Sequence, residues 1–172
     1  IDTTQIRFKT ARRDYMIIDA PGHKEFLKNM VTGAASSEAA VLVIDAKEGV
    51  SEQSKRHGYL LNLLGVRQIM VAVNKMDLVG YSEGRFKEIE TAFRAYLMEF
   101  GINPTYVVPV SARDGDCIID PSKNLPWYTG PSVLEALENF QPKANLNELP
   151  LRFPIQDVYK FDNKRILVGR IE

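Results

Sequence analysis

The chain alternates between short apolar runs and stretches with helical spacing. Residues 5–9, QIRFK, place Ile6 and Phe8 on one face and Gln5, Arg7 and Lys9 on the other, the pattern of a half-buried strand. ARRD then reads as a turn and YMIID (15–19) as a second strand, so the first element is a β-hairpin. A helix-prone segment runs from His23 to about Thr32 and ends near Gly33. AAVLVIDA (39–46) is continuously apolar, as expected of a strand buried on both faces in a parallel sheet. SEQSKRHGYLLNLLG (51–65) predicts a helix stopped by Gly65, and QIMVAVN (68–74) another buried strand. Ser82 caps the next segment. There Phe86, Ile89, Phe93, Leu97 and Phe100 recur every three or four residues until Gly101, giving the clearest amphipathic helix in the chain. YVVPVS (106–111) is a further strand, and residues 112–131 form a long loop. Ser132 and Glu135 have capping-box spacing and open a last helix.

After the initial hairpin, strands and helices alternate. That order predicts an α/β fold with a mostly parallel open sheet. From about residue 141 the pattern changes. QPKANLNELP is linker-like, and LRFPIQDVYKFDNKRILVGRIE alternates without helical spacing. The expected division is residues 1–143 and residues 144–172, the second being the start of a separate β domain.

Composition narrows this picture only a little. The 172 residues suffice for a core, and 45% hydrophobic with 26% charged content is ordinary for a globular chain. Lys+Arg and Asp+Glu are both 22, which argues against a surface that holds nucleic acid by charge alone but leaves room for a local patch. The single cysteine, Cys117, cannot form an internal disulfide, which fits a reducing cytoplasm. No segment resembles a signal peptide, and no apolar run is long enough to span a membrane, so a cytoplasmic location without a membrane partner is expected.

In open α/β sheets, ligands bind at the carboxyl ends of the strands. Three polar clusters fall at such ends. The first is Asp19-Ala20-Pro21-Gly22-His23. Asp19 would meet a magnesium ion through a water, the Gly22 N–H would reach a terminal phosphate, and His23 would orient an attacking water. Asp and Gly at this spacing recur by chance, so a plain strand, turn and helix start competes with that reading. The second cluster, Asn74-Lys75-Met76-Asp77, is more specific. A carboxylate accepts two parallel hydrogen bonds from a flat donor pair, and guanine offers one where adenine does not. Asp77 would select guanine, the Lys75 stem would lie over the base, and Asn74 would tie the loop to its neighbours. The competing reading is a strand exit with a solvated lysine and aspartate. The third cluster is Ser111-Ala112-Arg113, where the Ala112 N–H would donate to the guanine carbonyl. Each cluster follows a strand directly, and their order favours one shared site. His57 and the Lys24–Lys28 pair read as solvated or packing residues, Trp127 and Tyr128 as loop anchors, and Cys117 as a small apolar side chain.

These residues resemble the G domain of translation-factor-class GTPases. DAPGH matches the third motif of that class, NKMD the fourth and SA the fifth. FLKNMVTGA and PLRFPIQDVYK extend the resemblance over most of the chain. The resemblance implies a P-loop NTPase-type G domain leading into a β-barrel domain, with GTP/GDP and Mg2+ as cofactors. It assigns Asp19 to magnesium, Gly22 to the γ-phosphate, His23 to the attacking water, and Asn74, Lys75, Asp77, Ser111, Ala112 and Arg113 to the nucleotide. The GxxxxGK[ST] phosphate loop and the first strand of that fold are missing from these residues, which leads to the expectation of an interior segment of a longer protein. Within the class, SKRHGYLLNLLGVRQ, NKMDLVGYSEGRF and LPWYTGPSVLEAL resemble the large, GTPase subunit of sulfate adenylyltransferase. That implies GTP hydrolysis coupled to adenylyl sulfate formation from ATP and sulfate on a small ATP-using partner subunit. The alternative is an elongation factor resembling factor Tu or factor one-alpha, with aminoacyl-tRNA and the ribosome as partners.

Overall fold

Two antiparallel strands open the chain, β1 (Thr4–Lys9) and β2 (Asp14–Asp19), in register from Thr4 opposite Asp19 to Lys9 opposite Asp14. The structure is a computed structural model and describes residues 4–19, 37–142, 150–162 and 164–169. The expected helix from His23 to Thr32, with Gly22 and His23 at its start, lies outside the described residues. The hairpin packs Phe8 on Tyr15 with ring centroids 4.7 Å apart. Its turn is fastened to the end of the last helix of this unit: Arg13 Nη1 donates to the Phe140 carbonyl at 2.8 Å, and Arg12 pairs with Glu138 at 3.2 Å. Ile6, expected on a buried face, is exposed.

The second sheet has three parallel strands in the order β3-β4-β5: β3 (Ala39–Asp45), β4 (Gln68–Asn74) and β5 (Tyr106–Pro109). Helices α1 (Glu52–Leu63) and α2 (Glu83–Met98) make the crossovers, and α3 (Val133–Asn139) follows the long loop. The mostly parallel α/β fold read from the sequence is the observed one. β4 lies between its two neighbours and is buried from Ile69 to Val73. The predicted stripe of α2 is its core face: Phe86, Ile89, Phe93 and Leu97 are all buried. Gly58 is what lets α1 approach it, since a Cβ there would lie 2.6 Å from Leu97 Cδ2. β3 departs from expectation. Leu42 and Ile44 are buried, but Val41 and Val43 on the opposite face are exposed, so this strand is covered on one face only among the described residues.

Helix starts follow their capping chemistry. Ser51, Ser82 and Ser132 each accept a backbone N–H of the first turn, and Ser132 with Glu135 completes the predicted capping box. Cα packing divides the chain into residues 1–141 and 142–172. Among the described residues of the second unit, β6 (Ile155–Phe161) pairs antiparallel with β7 (Lys164–Gly169), and their side chains are exposed on both faces nearly throughout.

Candidate guanine-nucleotide site

β4 and β5 run parallel, so their carboxyl ends open on the same edge of the sheet. Beyond Asn74 the chain reverses sharply. Lys75 takes a left-handed conformation (φ 63°), and Met76–Val79 form one turn of 3₁₀-helix. Met76 turns inward and is fully buried, and its N–H donates to the Val110 carbonyl at 3.1 Å. Met76 is thus an apolar plug under the loop, with Asn74 and Lys75 left at the sheet edge.

Asn74 ties the two loops together. Its Oδ1 accepts the Lys75 N–H at 2.7 Å and the Ala112 N–H at 3.0 Å. The Ala112 amide expected to face a base is therefore engaged with Asn74. Asp77, whose side chain is only 9% exposed, accepts from Ser111 Oγ at 2.9 Å through Oδ1, while Arg113 Nη2 stands 3.5 Å from Oδ2. Ser111 is fully buried. A carboxylate has about four lone-pair positions, so both Asp77 oxygens retain capacity for a two-point donor. The structure thus brings Asn74, Lys75, Asp77, Ser111, Ala112 and Arg113 into one constellation.

Residues the sequence did not single out complete it. Lys75 Nζ lies 2.6 Å from Asp45 Oδ2 at the end of β3, and Asp45 Oδ1 accepts the N–H groups of Lys47 and Glu48. Burial raises the Asp45 carboxyl, but Lys75 and those amides outweigh it and hold it below the usual carboxylate range. The same pairing raises Lys75. Asp45, Gly49, Asn74 and Lys75 line a cleft beside this pair. In the following loop, Asp114 is bound by Arg113 and Asp116 by Tyr81, Ser122 and Asn124. These bonds lower both carboxyls, Arg113 first for Asp114 and Ser122 first for Asp116. Trp127 anchors the loop by donating Nε1–H to the Tyr81 carbonyl at 3.0 Å and packing against Phe86. Asp45 had a legible signal, because it closes β3 as Asn74 closes β4. Tyr81 had none.

Asp19 ends β2 opposite Thr4 and is exposed, in a sheet separate from the constellation. Gly22 and His23 are outside the described residues. Among the described residues no group of three metal-ligating side chains occurs, and no helix is long and apolar enough to cross a membrane.

Residues 1–143 match the family described as elongation factor Tu GTP binding domain. Elongation factor 1-alpha of Methanopyrus kandleri is 43% identical over 175 residues, covering 100% of this chain and 41% of that protein. Elongation factor 1-alpha of Thermococcus sibiricus is 44% identical over 173 residues, covering 100% of this chain and 40% of that protein. The chain thus spans about two fifths of the length of these curated relatives. Among solved structures, sup35 complexed with GMPPNP superposes with a TM-score of 0.65 at 31% identity, over 97% of this chain and 42% of that one. A bacterial selenocysteine-specific elongation factor, EF-Sec, gives 0.67 at 27% identity over 99% of this chain and 28% of that one.

These relatives overturn the sulfate-activation expectation. Elongation factors 1-alpha match along the whole chain at 43–44% identity, and these relatives support neither a sulfate adenylyltransferase nor its small partner subunit. The stretches that suggested that branch form α1, the loop from Asn74 into α2, and the packing of α3. They build helices and the candidate nucleotide-site loop, which the elongation-factor relatives also match along their length, and a fold does not specify the reaction it serves. From its family match and its full-length similarity to these factors, the chain belongs to the elongation factor Tu GTP-binding domain family.

Proposed function

We propose that this chain is the guanine-nucleotide-binding and GTP-hydrolysing part of an elongation-factor-like GTPase that carries aminoacyl-tRNA to the ribosome. The observation that carries the nucleotide assignment is the Asp77 carboxylate, nearly buried, held by Ser111 and still able to accept a two-point donor. Guanine would place its ring N–H and amino group on Asp77. Its carbonyl would share the Ala112 N–H with Asn74, and Lys75, its head fixed on Asp45, would lay its stem along one face of the base. Arg113 lies at the rim of the same site. Adenine would leave the Asp77 oxygens unpaired, which is where selectivity arises.

The hydrolytic half of the proposal rests on Asp19, Gly22 and His23. Asp19 fits magnesium in the manner usual for that ion, which keeps most of its waters and takes few protein carboxylates. The bound ion would neutralise phosphate charge. The Gly22 N–H would donate to the terminal phosphate, and His23 would orient the water for in-line attack. The tRNA and ribosome partners are what an elongation factor implies, and the relatives' names support that reading only as far as the words elongation factor. The β6–β7 hairpin is read as the start of a barrel domain over residues 144–172.

Competition binding tests the nucleotide assignment in the intact protein. Guanosine diphosphate should bind far more tightly than adenosine diphosphate. Asp77→Asn should weaken it by about a hundredfold, the scale of losing paired charge-assisted bonds. Equal affinity for the two bases before and after substitution would reject the assignment.

A further inference from the structure

The loop carrying Asp77 and the loop carrying Ser111 and Ala112 come from different strands. Their spacing must be set by something, because a base held between them feels any change in it. Asn74 supplies one tie. A second runs through Tyr81, at the far end of the loop that begins with Asn74. Tyr81 is held on three sides. Its N–H donates to the Met76 carbonyl at 2.8 Å, its carbonyl accepts from Trp127, and its hydroxyl donates to Asp116 Oδ2 at 2.6 Å. Its φ is +54°, a conformation that a bulky residue keeps only when its surroundings over-determine it. Asp116 in turn pairs with Ser111 across a short antiparallel bridge, Ser111 N–H to Asp116 O at 3.3 Å and Asp116 N–H to Ser111 O at 3.1 Å.

Hydrogen count sharpens the picture. The Ser111 hydroxyl has one hydrogen, yet it lies 2.9 Å from Asp77 Oδ1 and 3.1 Å from Asp114 Oδ2. Arg113 donates to both Asp114 oxygens, at 3.0 and 3.1 Å, and the Tyr81 hydroxyl also stands 3.3 Å from Asp114. The one Tyr81 hydrogen goes to Asp116, and Arg113 supplies both Asp114 oxygens, so the Ser111 hydrogen is left for Asp77. The tyrosine hydroxyl itself is locked as a donor: the Asp116 bond, then burial, push Tyr81 up to about 12.

We infer that Tyr81 and Asp116 are positioning residues for guanine selectivity, fixing the Asp77–Ser111 pair against the Ala112 amide. This inference rests on the guanine assignment above. Neither residue touches the base. The tyrosine hydroxyl acts by setting the distance between the two loops that do.

Inosine diphosphate separates positioning from general damage, because hypoxanthine keeps the ring N–H and the carbonyl but lacks the amino group. A two-point contact is more sensitive to loop spacing than a one-point contact. In the intact protein, Tyr81→Phe keeps the ring and the backbone bonds and removes only the hydroxyl. It should weaken guanosine diphosphate by about three- to tenfold, the range of one net hydrogen bond, and inosine diphosphate by less, so the ratio of the two affinities falls. Asp116→Asn retains an acceptor for Tyr81 and should shift the ratio in the same direction by a smaller amount. It decides the question if Tyr81→Phe does not fold. Asp77→Asn, measured alongside, tests the underlying assignment. If Asp77→Asn leaves the preference for guanine intact, that assignment falls and the inference falls with it. If Asp77→Asn removes the preference while Tyr81→Phe or its substitute weakens both nucleotides equally, or neither, only the positioning role is overturned.

Discussion

β3 and β4 are neighbouring parallel strands of similar composition, AAVLVID beside QIMVAVN, paired residue for residue from Ala39–Gln68 to Asp45–Asn74. They are buried very differently. β4 has strands on both sides and loses every side chain from Ile69 to Val73 to the core. β3 pairs with β4 alone among the described residues and leaves Val41 at 42% and Val43 at 61% exposure. An apolar run therefore states what a strand can bury, while its place in the sheet decides what it does bury. The division extends to function. β4 carries buried core residues and the Asn74–Asp77 loop proposed to hold guanine. β3 contributes chiefly Asp45, which holds the head of Lys75.

The sharpest test of that division is a truncation in β4. Ile69 is 0% exposed. Ile69→Ala removes buried methyl groups from a packed layer and should cost about 2–5 kcal/mol in denaturant unfolding. A loss below about 1 kcal/mol would mean that β4 is not the centre of the fold.

The contrast also shows how far the sequence carries. The stripe Phe86, Ile89, Phe93 and Leu97 predicted a helix and its core face together, because helical periodicity encodes direction as well as element type. Ser132 and Glu135 marked a helix start because the capping box is local chemistry. The loops after β4 and β5 were legible as a candidate site because ligands in open α/β sheets bind at the carboxyl ends of parallel strands. β3 was read as buried on both faces, since a continuous apolar run carries no information about how many layers cover it. Tyr81 escaped notice because its role depends on a contact across 35 residues with Asp116, which no local pattern announces. The sulfate branch was misread for a related reason. Its supporting stretches build helices and a candidate nucleotide-site loop, and neither states which reaction the fold serves.

The ends of the two strands offer the next test. Asp45→Asn keeps size and an acceptor but loses the charge that holds Lys75. Lys75 is about half exposed, so solvent screens the pair and the stability cost should be small. The expected effect on guanosine diphosphate is larger, a loss of about threefold, because the freed lysine stem no longer presents a fixed platform. The pH dependence has a definite sign. Asp45 is held below its ordinary value, so its contribution is present above the usual carboxylate range and fades as pH falls through the lowered value. Wild type and Asp45→Asn should differ at neutral pH and converge only in acid. A gap that widened on acidification would show that the pairing of Asp45 with Lys75 is not what the substitution removes.

The smallest expected effect discriminates most finely between the strands. Val43→Thr preserves β-branching and nearly preserves shape, so strand propensity is unchanged and the only new term is a hydroxyl. On a face left uncovered among the described residues that hydroxyl stays hydrated, and stability should move by no more than about 0.5 kcal/mol. The same substitution at Val73, which is 0% exposed, buries the hydroxyl and should cost about 1–3 kcal/mol. The two variants, unfolded side by side in denaturant, measure the contrast directly. If Val43→Thr costs as much as Val73→Thr, then something covers the Val41–Val43 face in solution, and β3 is a second central strand.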